Sequence, residues 1–294
     1  MSSAHLPTPD PSSEYRIQHY ENFPVASWLC PPHLRPAIVA IYNFARTADD
    51  IADEGSANAQ ERLDDLATFR ADLFAAQNGH TGVKAISNRW ESVFVPLQSA
   101  IAKFNLPASL LNDLLSAFEQ DIRKTRDHEG YANEAELLDY CSRSANPVGR
   151  LLLHLYGIHD ADALRMSDHI CTALQLINFW QDLSQDIPRG RFYLPLESCE
   201  AFGVRKADLT HLNQTQNATN LIASQAMNTL STMQKGMQLV HILPGRAGWE
   251  LRFVIQGGLR ILDKIKDLNY AMLENRPKLN KLDYVVIAWR ALWM

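Results

Sequence analysis

The segment Ser167–Asp186 reads SDHICTALQLINFWQDLSQD and carries the clearest signal of the fold class. Its apolar residues recur with the helical period, so we predict one helix from Ser167 to Gln185. Within it, Asn178, Asp182 and Asp186 follow one another at intervals of four residues. On an α-helix this spacing places the three side chains one above another on a single face. A stripe of oxygen ligands therefore runs along a helix that otherwise has the composition of a buried core.

A second stripe with the same spacing lies earlier in the chain, in the sequence DDIADE at residues 49–54. Asp49 and Asp53 share one face at the end of a predicted helix over residues 34–53. A solvated helix face would be the ordinary interpretation of either stripe alone, but two repelling stripes among apolar residues indicate a cation between them. Oxygen ligands without a neighbouring Cys or His pair favour Mg²⁺, which usually shares its ligand shell with phosphate. We therefore predict a Mg²⁺-dependent enzyme that acts on a diphosphate.

The rest of the chain is predicted to be helical as well. No segment alternates with the period of two that a half-buried strand requires, and no repeat of solenoid length occurs. Pro147 should kink or break a helix over residues 134–156 near Ala145 and Asn146. Other helices are expected over residues 60–76, 90–104, 107–127, 217–240 and 248–275. The predicted fold class is all-α, with one domain over residues 15–294 after a disordered arm, residues 1–14, rich in Ser and Pro.

Composition narrows the classes of function. The 294 residues carry a net charge of −5 and no basic face, which argues against a nucleic-acid partner. No apolar run reaches the roughly 18 residues that a bilayer-spanning helix needs. The four cysteines lack CxxC spacing and no signal peptide is recognisable, which favours free buried thiols in a cytoplasmic protein. The apolar segment 284–294 either packs as a last helix or lies peripherally at the inner face of a membrane.

Two long signatures, in the right order, resemble those of the squalene/phytoene synthase family. The first is RTADDIADE at residues 46–54. The second is the stripe from Asn178 to Asp186 together with RGRFYLP at residues 189–195. The resemblance extends from about His19 to Ile265. HYENFP at residues 19–24 and YCSRSANPVG at residues 140–149 are most similar to the bacterial hopanoid-pathway branch of the family.

The resemblance implies an isoprenoid-synthase helical bundle with a central active-site cavity, a prenyl diphosphate substrate and several Mg²⁺ ions. It implies metal ligands around the diphosphate at Asp49, Asp53, Asn178, Asp182 and Asp186, and a catalytic role for the four aspartates. It places Tyr140 near the reacting carbons as a further catalytic residue. It implies substrate contacts from Asn178 and from His19, Tyr42, Arg46, Gln175, Arg189, Arg191 and Tyr193. Phe23, Tyr42, Phe44 and Leu174 are expected to line the cavity and to shield a carbocation.

On this resemblance, the favoured reaction converts presqualene diphosphate and water to hydroxysqualene and diphosphate, in squalene and hopanoid biosynthesis. Relatives that join two diphosphates commonly carry serines near Tyr20 and Asn22 and an arginine in place of Gln181. Losing these groups should weaken a second diphosphate site, which favours an enzyme that handles one diphosphate.

Two alternatives stay open beside this reaction. One is a head-to-head prenyltransferase that makes squalene, phytoene or dehydrosqualene from two shorter diphosphates. The other, more remote, is a non-catalytic assembly factor of the same fold. No NAD(P)H is expected for the favoured reaction, and the chain has no GxGxxG fingerprint. Neighbouring pathway enzymes are expected to hand over the substrate and to receive the product.

Overall fold

The computed structural model of the protein describes residues 30–79 and 87–294. Within these ranges the chain forms thirteen α-helices, a 3₁₀ turn at Ile187–Arg189 and a single β-bridge between Gly130 and Phe192. The helices are α1 Arg35–Asp53, α2 Ala59–Gln77, α3 Glu91–Phe104, α4 Ala108–Asp127, α5 Glu134–Ser144, α6 Asn146–Leu155, α7 Ala161–Asp186, α8 Leu196–Ala201, α9 Lys206–Thr210, α10 Gln216–Gly236, α11 Leu239–Ile242, α12 Arg246–Asp267 and α13 Lys281–Leu292. The all-α prediction is confirmed, whereas the predicted arm, residues 1–14, and His19 lie outside the described residues.

The predicted helix over residues 134–156 is broken near its middle, as its proline indicated. Helix α5 ends at Ser144, and α6 begins at Asn146 with Pro147 in its first turn. A proline is tolerated there because the N–H that it lacks would have no partner inside the helix. Both parts of the predicted helix therefore persist, as two helices with Ala145 between them.

Other helix bounds differ from the predictions for local reasons. Helix α7 begins earlier than predicted, at Ala161, where the Asp160 side chain accepts hydrogen bonds from two N–H groups of the first turn. Helix α12 ends at Asp267 rather than near residue 275, and Asn269 and Tyr270 follow it in the left-handed conformation. Helices α8, α9 and α11 were not predicted because they are too short to show a period.

Two groups of buried apolar side chains hold the helices together. One group lies between helices α1, α2, α3, α4 and α6, and the rings of Phe44, Phe69 and Phe94 pack at its centre. The other surrounds α7 and α10 and contains Trp180, whose indole N–H donates to the Thr229 hydroxyl at 2.8 Å. Full burial of each such ring contributes about 2–3 kcal/mol. The four cysteines are free and buried, as predicted.

Helix α10 packs closely along α7 because a glycine ends it. A Cβ atom on Gly236 would lie 2.5 Å from the carbonyl oxygen of Met166 and 2.6 Å from a side-chain carbon of Ile170. Helix α7 also packs against α5, α6 and α12. The stripe-bearing helix is therefore held on several sides, which fixes the direction in which its polar face points.

Helix α13 is fastened to α12 by a buried carboxylate. Asp283 is 1% exposed and pairs with Arg260 at 2.7 Å and Lys264 at 2.9 Å. It also accepts a hydrogen bond from the backbone N–H of Asn280 at 2.7 Å, which caps the helix. Burial raises the pKa of Asp283, but the Asn280 N–H and the two cations outweigh it and lower this pKa to about 2.

Among the described helices, none combines the length and the apolar character needed to cross a bilayer.

Candidate active site

A cavity of about 530 Å³ lies between the two buried groups and is lined by side chains from both, such as Ile41 and Phe179. Acidic side chains line it at the carboxyl ends of α1 and α7, and aliphatic side chains of α6 and α12 line another part. We call these the polar end and the apolar part of the cavity. Ten of the predicted site residues meet in its wall: Tyr42, Arg46, Asp49, Tyr140, Gln175, Asn178, Asp182, Asp186, Arg191 and Tyr193.

The remaining predicted residues have other positions. Asp53 is not in the cavity wall, but its carboxylate pairs with Arg191 at 3.1 Å at the edge of the polar end. Arg189 is exposed on the 3₁₀ turn and does not line the cavity, although its charge opposes the raised pKa of Asp186. The predictions for His19 and Phe23 lie outside the described residues.

Two of the predicted apolar lining residues are wrong. Phe44 is fully buried against the rings of Phe69 and Phe94, on the side of α1 that faces the core. Leu174 is buried beside Gly258 of α12 and does not line the cavity. The apolar part is formed instead by Ile38, Phe118, Val148, Leu152, Leu251 and Val254, among others.

The first acidic stripe brings three carboxylates together. Single oxygens of Asp49, Asp50 and Asp53 lie within 4.8 Å of one another. Arg46 pairs with Asp49 at 3.2 Å and with Asp50 at 2.7 Å. Burial and the adjacent carboxylate of Asp53 nevertheless raise the pKa of Asp49 to about 7. The stripe therefore has an excess of negative charge that Arg46 does not neutralise.

The second stripe is completed by residues that follow α12. Arg276 forms a two-pronged ion pair with Asp182, with Nε at 2.5 Å and Nη2 at 3.1 Å from its two oxygens. The Gln181 side chain donates to the carbonyl oxygen of Pro277 at 2.8 Å, which docks this segment on α7. Burial, followed by the charges of neighbouring aspartates, raises the pKa of Asp186 to about 7 although two arginines oppose the shift. Nothing in the sequence pointed to Arg276.

A further carboxylate, which was not predicted, reaches the cavity from α4. Asp121 accepts a hydrogen bond from the Tyr193 hydroxyl at 3.0 Å, and its other oxygen lies 4.0 Å from Nε of Arg191. Burial raises the pKa of Asp121, and Arg191 and Tyr193 only partly counter this shift. Arg191 thus connects Asp53 of α1 with Asp121 of α4. Asp121 has no carboxylate one turn away in the sequence, so no spacing signal marks it.

Aromatic rings line the cavity beside the polar end. The rings of Phe179 and Tyr193 stack with centroids 3.7 Å apart, and Tyr140 lies 6.1 Å from Phe179 and 6.4 Å from Tyr193. Burial raises the pKa values of Tyr140 and Tyr193, so both phenols are uncharged at neutral pH. The faces of such rings stabilise a cation by about 0.5–2 kcal/mol each.

Two buried atoms in the polar end indicate what the site is built to bind. Oδ1 of Asp53 has no hydrogen-bond donor among the described residues, and Nε of Arg191 has no acceptor within the same ranges. Moreover, the carboxylates lie at the carboxyl ends of α1 and α7, which are the negative ends of the two helix dipoles. Neither helix has a basic residue in its last turn to offset this negative charge. A divalent cation satisfies the oxygen, and an anionic phosphate oxygen satisfies the guanidinium. The residues therefore fit Mg²⁺ together with a diphosphate.

A helical bundle whose cavity combines two acidic stripes, arginines and aromatic rings defines an isoprenoid-diphosphate enzyme. The chain belongs to the squalene/phytoene synthase family, whose sequence profile matches residues 17–283. It is an enzyme of the squalene/phytoene synthase type, as the resemblance predicted.

Individual relatives narrow this assignment. The chain is 32% identical over 274 residues to a hydroxysqualene synthase of Rhodopseudomonas palustris. This alignment covers 92% of this chain and 88% of that protein. It is 34% identical to the squalene synthase HpnC of Alicyclobacillus acidocaldarius, whose crystal structure superposes with a TM-score of 0.75 over 86% of this chain and 90% of that one. A presqualene diphosphate synthase of R. palustris is 30% identical over 202 residues, 68% of this chain and 67% of that protein.

Proposed function

We propose that this enzyme converts presqualene diphosphate and water to hydroxysqualene and diphosphate, with Mg²⁺. The observation that carries the proposal is a cavity in which, among the described residues, acidic side chains gather at the carboxyl ends of α1 and α7 and apolar side chains line another part. The acid-lined end suits one diphosphate, and the apolar part suits the hydrocarbon chains. Similarity to a hydroxysqualene synthase over 92% of the chain supports the same reaction.

The two stripes are the proposed Mg²⁺ ligands: Asp49, Asp53, Asn178, Asp182 and Asp186. Bound Mg²⁺ would supply the charge stabilisation that the departing diphosphate requires. The chain's own cations would supply the rest. Arg46, Arg191 and Arg276 each pair with a carboxylate of the polar end, and their guanidinium forks match phosphate oxygens. Arg189, exposed beyond α7, would act only at the entrance.

Ionisation would break the bond between the substrate's C1 and the diphosphate oxygen, and the electron pair would leave with diphosphate. The resulting cyclopropylcarbinyl cation would then be surrounded by Tyr140, Phe179 and Tyr193. The phenols of Tyr140 and Tyr193 stay protonated because burial raises their pKa values. Neither tyrosine would therefore offer an anionic oxygen that could trap the cation. After rearrangement opens the ring, the oxygen of a water molecule would add to carbon and release one proton, which the departing diphosphate can accept.

The local role of Gln181 supports an enzyme for one diphosphate. Condensing relatives commonly carry an arginine at this position, whereas here the amide docks the segment after α12. The cation of the second stripe is supplied by Arg276 instead, which pairs with Asp182 in the wall of the same polar end. The other two departures, at Tyr20 and Asn22, lie outside the described residues.

Product analysis tests the proposal directly. Purified protein with Mg²⁺ and without NADPH is incubated with presqualene diphosphate and, separately, with farnesyl diphosphate. We expect hydroxysqualene from the first substrate only, and no turnover after chelation of the metal. A C30 product from farnesyl diphosphate alone would instead identify a condensing synthase, and inertness toward both would identify a non-catalytic relative. The proposed reaction also requires an enzyme that condenses two farnesyl diphosphates upstream and one that consumes hydroxysqualene downstream.

A further inference from the structure

The outward side of α13 is apolar. Four of its side chains and that of its C-cap residue Trp293 recur at helical spacing and are 59% to 77% exposed: Leu282, Val285, Trp289, Leu292 and Trp293. On the inward side, Asp283, Ile287 and Ala291 are buried. An amphipathic helix on a protein surface normally turns its polar side outward, whereas this helix also presents apolar side chains to the outside. We call the five exposed side chains the apolar face.

The apolar face continues onto α12. The Arg252 guanidinium lies 4.7 Å from the centre of the Trp249 ring and donates to the carbonyl oxygen of Ala291 at 3.3 Å. Arg252 thereby connects Trp249, which is 39% exposed, with the end of α13. Phe253, also 39% exposed, lies one turn after Trp249 on the same side of α12. Aromatic and aliphatic side chains of two helices thus form one surface.

Positive charge accompanies this surface. Residues 241–294 contain nine Lys and Arg against five Asp and Glu, whereas the whole chain has a net charge of −5. Lys278, just before α13, and Lys281, at its start, are exposed. Arg290 is exposed near the end of the helix and pairs with Asp263 at 2.6 Å. Basic residues that border exposed aromatic side chains are typical of segments that lie on anionic lipid surfaces.

The same helix that extends the apolar face also lines the cavity. Ala247, Leu251 and Val254 of α12 face the cavity, while Trp249 and Phe253 point to the other side of the helix. A single helix therefore separates the apolar part of the cavity from the exposed surface.

We propose that the apolar face is a membrane-docking surface that rests in the interface of an anionic lipid bilayer. Trp289 and Trp293 would enter the headgroup region, where their amphipathic rings are stable, and the bordering cations would contact the lipid phosphates. A second copy of the chain fits less well, because a two-fold interface on this face would bring the cations of both copies together. This inference goes beyond the proposed reaction and does not depend on it.

Vesicle co-sedimentation tests the docking surface. The full-length protein is mixed with vesicles of phosphatidylglycerol and phosphatidylcholine, or of phosphatidylcholine alone, at low and high salt. The test variant is Trp289→Ser/Trp293→Ser, and the matched control is Phe74→Ser, which removes a 66% exposed ring from α2. We expect binding to the anionic vesicles that weakens with salt, falls about tenfold or more in the double variant, and persists in the control.

Failure of the wild type to bind anionic vesicles, or equal binding by the double variant, would overturn the proposal. Light scattering on the protein without vesicles measures its oligomeric state. If the wild type and the control are dimers and the double variant is a monomer, the apolar face binds a second copy of the chain, and the proposed lipid surface is refuted. Turnover of detergent-dispersed presqualene diphosphate is measured in parallel. We expect the double variant to retain it, so that a failed docking prediction stays distinguishable from a failed reaction.

Discussion

Replacing Asp49 with asparagine measures separately how this carboxylate affects the free energy of unfolding and how it affects turnover. The substitution keeps the shape of the side chain and removes one negative charge from the first stripe. Two electrostatic effects then oppose each other. The variant loses the attraction of Arg46 at 3.2 Å, but it also relieves repulsion from Asp50 and Asp53, whose oxygens lie within 4.8 Å.

The structure gives the scale of both effects. With an effective dielectric constant of about 20, the lost attraction corresponds to about 5 kcal/mol and each relieved repulsion to about 3.5 kcal/mol. Solvent weakens these interactions, because the side chains of Arg46 and Asp49 are 39% and 42% exposed at their outer side. The raised pKa of about 7 also leaves Asp49 only partly charged at neutral pH, which reduces both effects further. We therefore expect the free energy of unfolding without Mg²⁺ to change by no more than about 1 kcal/mol. Turnover should fall about 10²–10³-fold, because an amide oxygen is a weaker ligand than a carboxylate.

The assay pairs product formation from presqualene diphosphate with thermal unfolding. Wild-type protein should melt at a higher temperature when Mg²⁺ and inorganic diphosphate are added, and Asp49→Asn should show a smaller rise. Asp139→Asn is the matched control, because it removes a 64% exposed carboxylate of α5 outside the cavity. Turnover above one tenth of the wild-type value in Asp49→Asn, or an equal loss in Asp139→Asn, would refute the metal-ligand assignment.

Three further predictions concern the second stripe, helix packing and pH. Arg276→Gln should lower kcat/KM about 10–100-fold by removing the cation beside Asp182. Arg276→Lys should recover part of the lost kcat/KM, because it restores the charge without the guanidinium fork. Equal steady-state kinetics in both variants would contradict a role for this cation. Gly236→Ala should destabilise the protein by about 1–3 kcal/mol in urea unfolding, because its Cβ meets α7, whereas Gly257→Ala, with no atom within 4 Å, should not. Asp283→Asn should lower the free energy of unfolding at neutral pH by about 3 kcal/mol. The folded-state pKa of about 2 lies below the unfolded value of about 3.9, so this stabilisation is complete above about pH 5. The difference from wild type should shrink as the pH falls from about 5 toward 2, and a constant difference would refute the ion-pair explanation.

Both acidic stripes were predictable because their signal is local. The spacing that puts Asp182 one turn from Asp186 is the same in the sequence and on the helix, and no other part of the fold is needed to interpret it. Asp121 and Arg276 gave no such signal. Asp121 reaches the cavity from α4, and Arg276 pairs with Asp182 from the segment after α12, so only tertiary packing brings these two residues beside the stripes.

The error at Phe44 has a different physical cause. The residue belongs to a helix that lines the cavity, and the sequence marks it correctly as apolar. However, Phe44 shares the face of Ala40 and Ala48, which are buried in the core, whereas Tyr42 and Ala45 face the cavity. One residue along a helix corresponds to a rotation of about 100°, so choosing between adjacent positions requires knowing which neighbour covers each face.

The docking of the segment after α12 has a consequence for the order in which the enzyme becomes competent. Arg276 pairs with a residue 94 positions earlier in the chain, and Arg191 pairs with one 138 positions earlier. Contacts between such distant residues form late in folding because their loops are entropically costly to close. During synthesis on the ribosome, the second stripe gains its arginine only after α12 and the segment that follows it have been made. Until then Asp182 lacks this cation, so the docking of one short segment after α12 completes the charge arrangement of the second stripe.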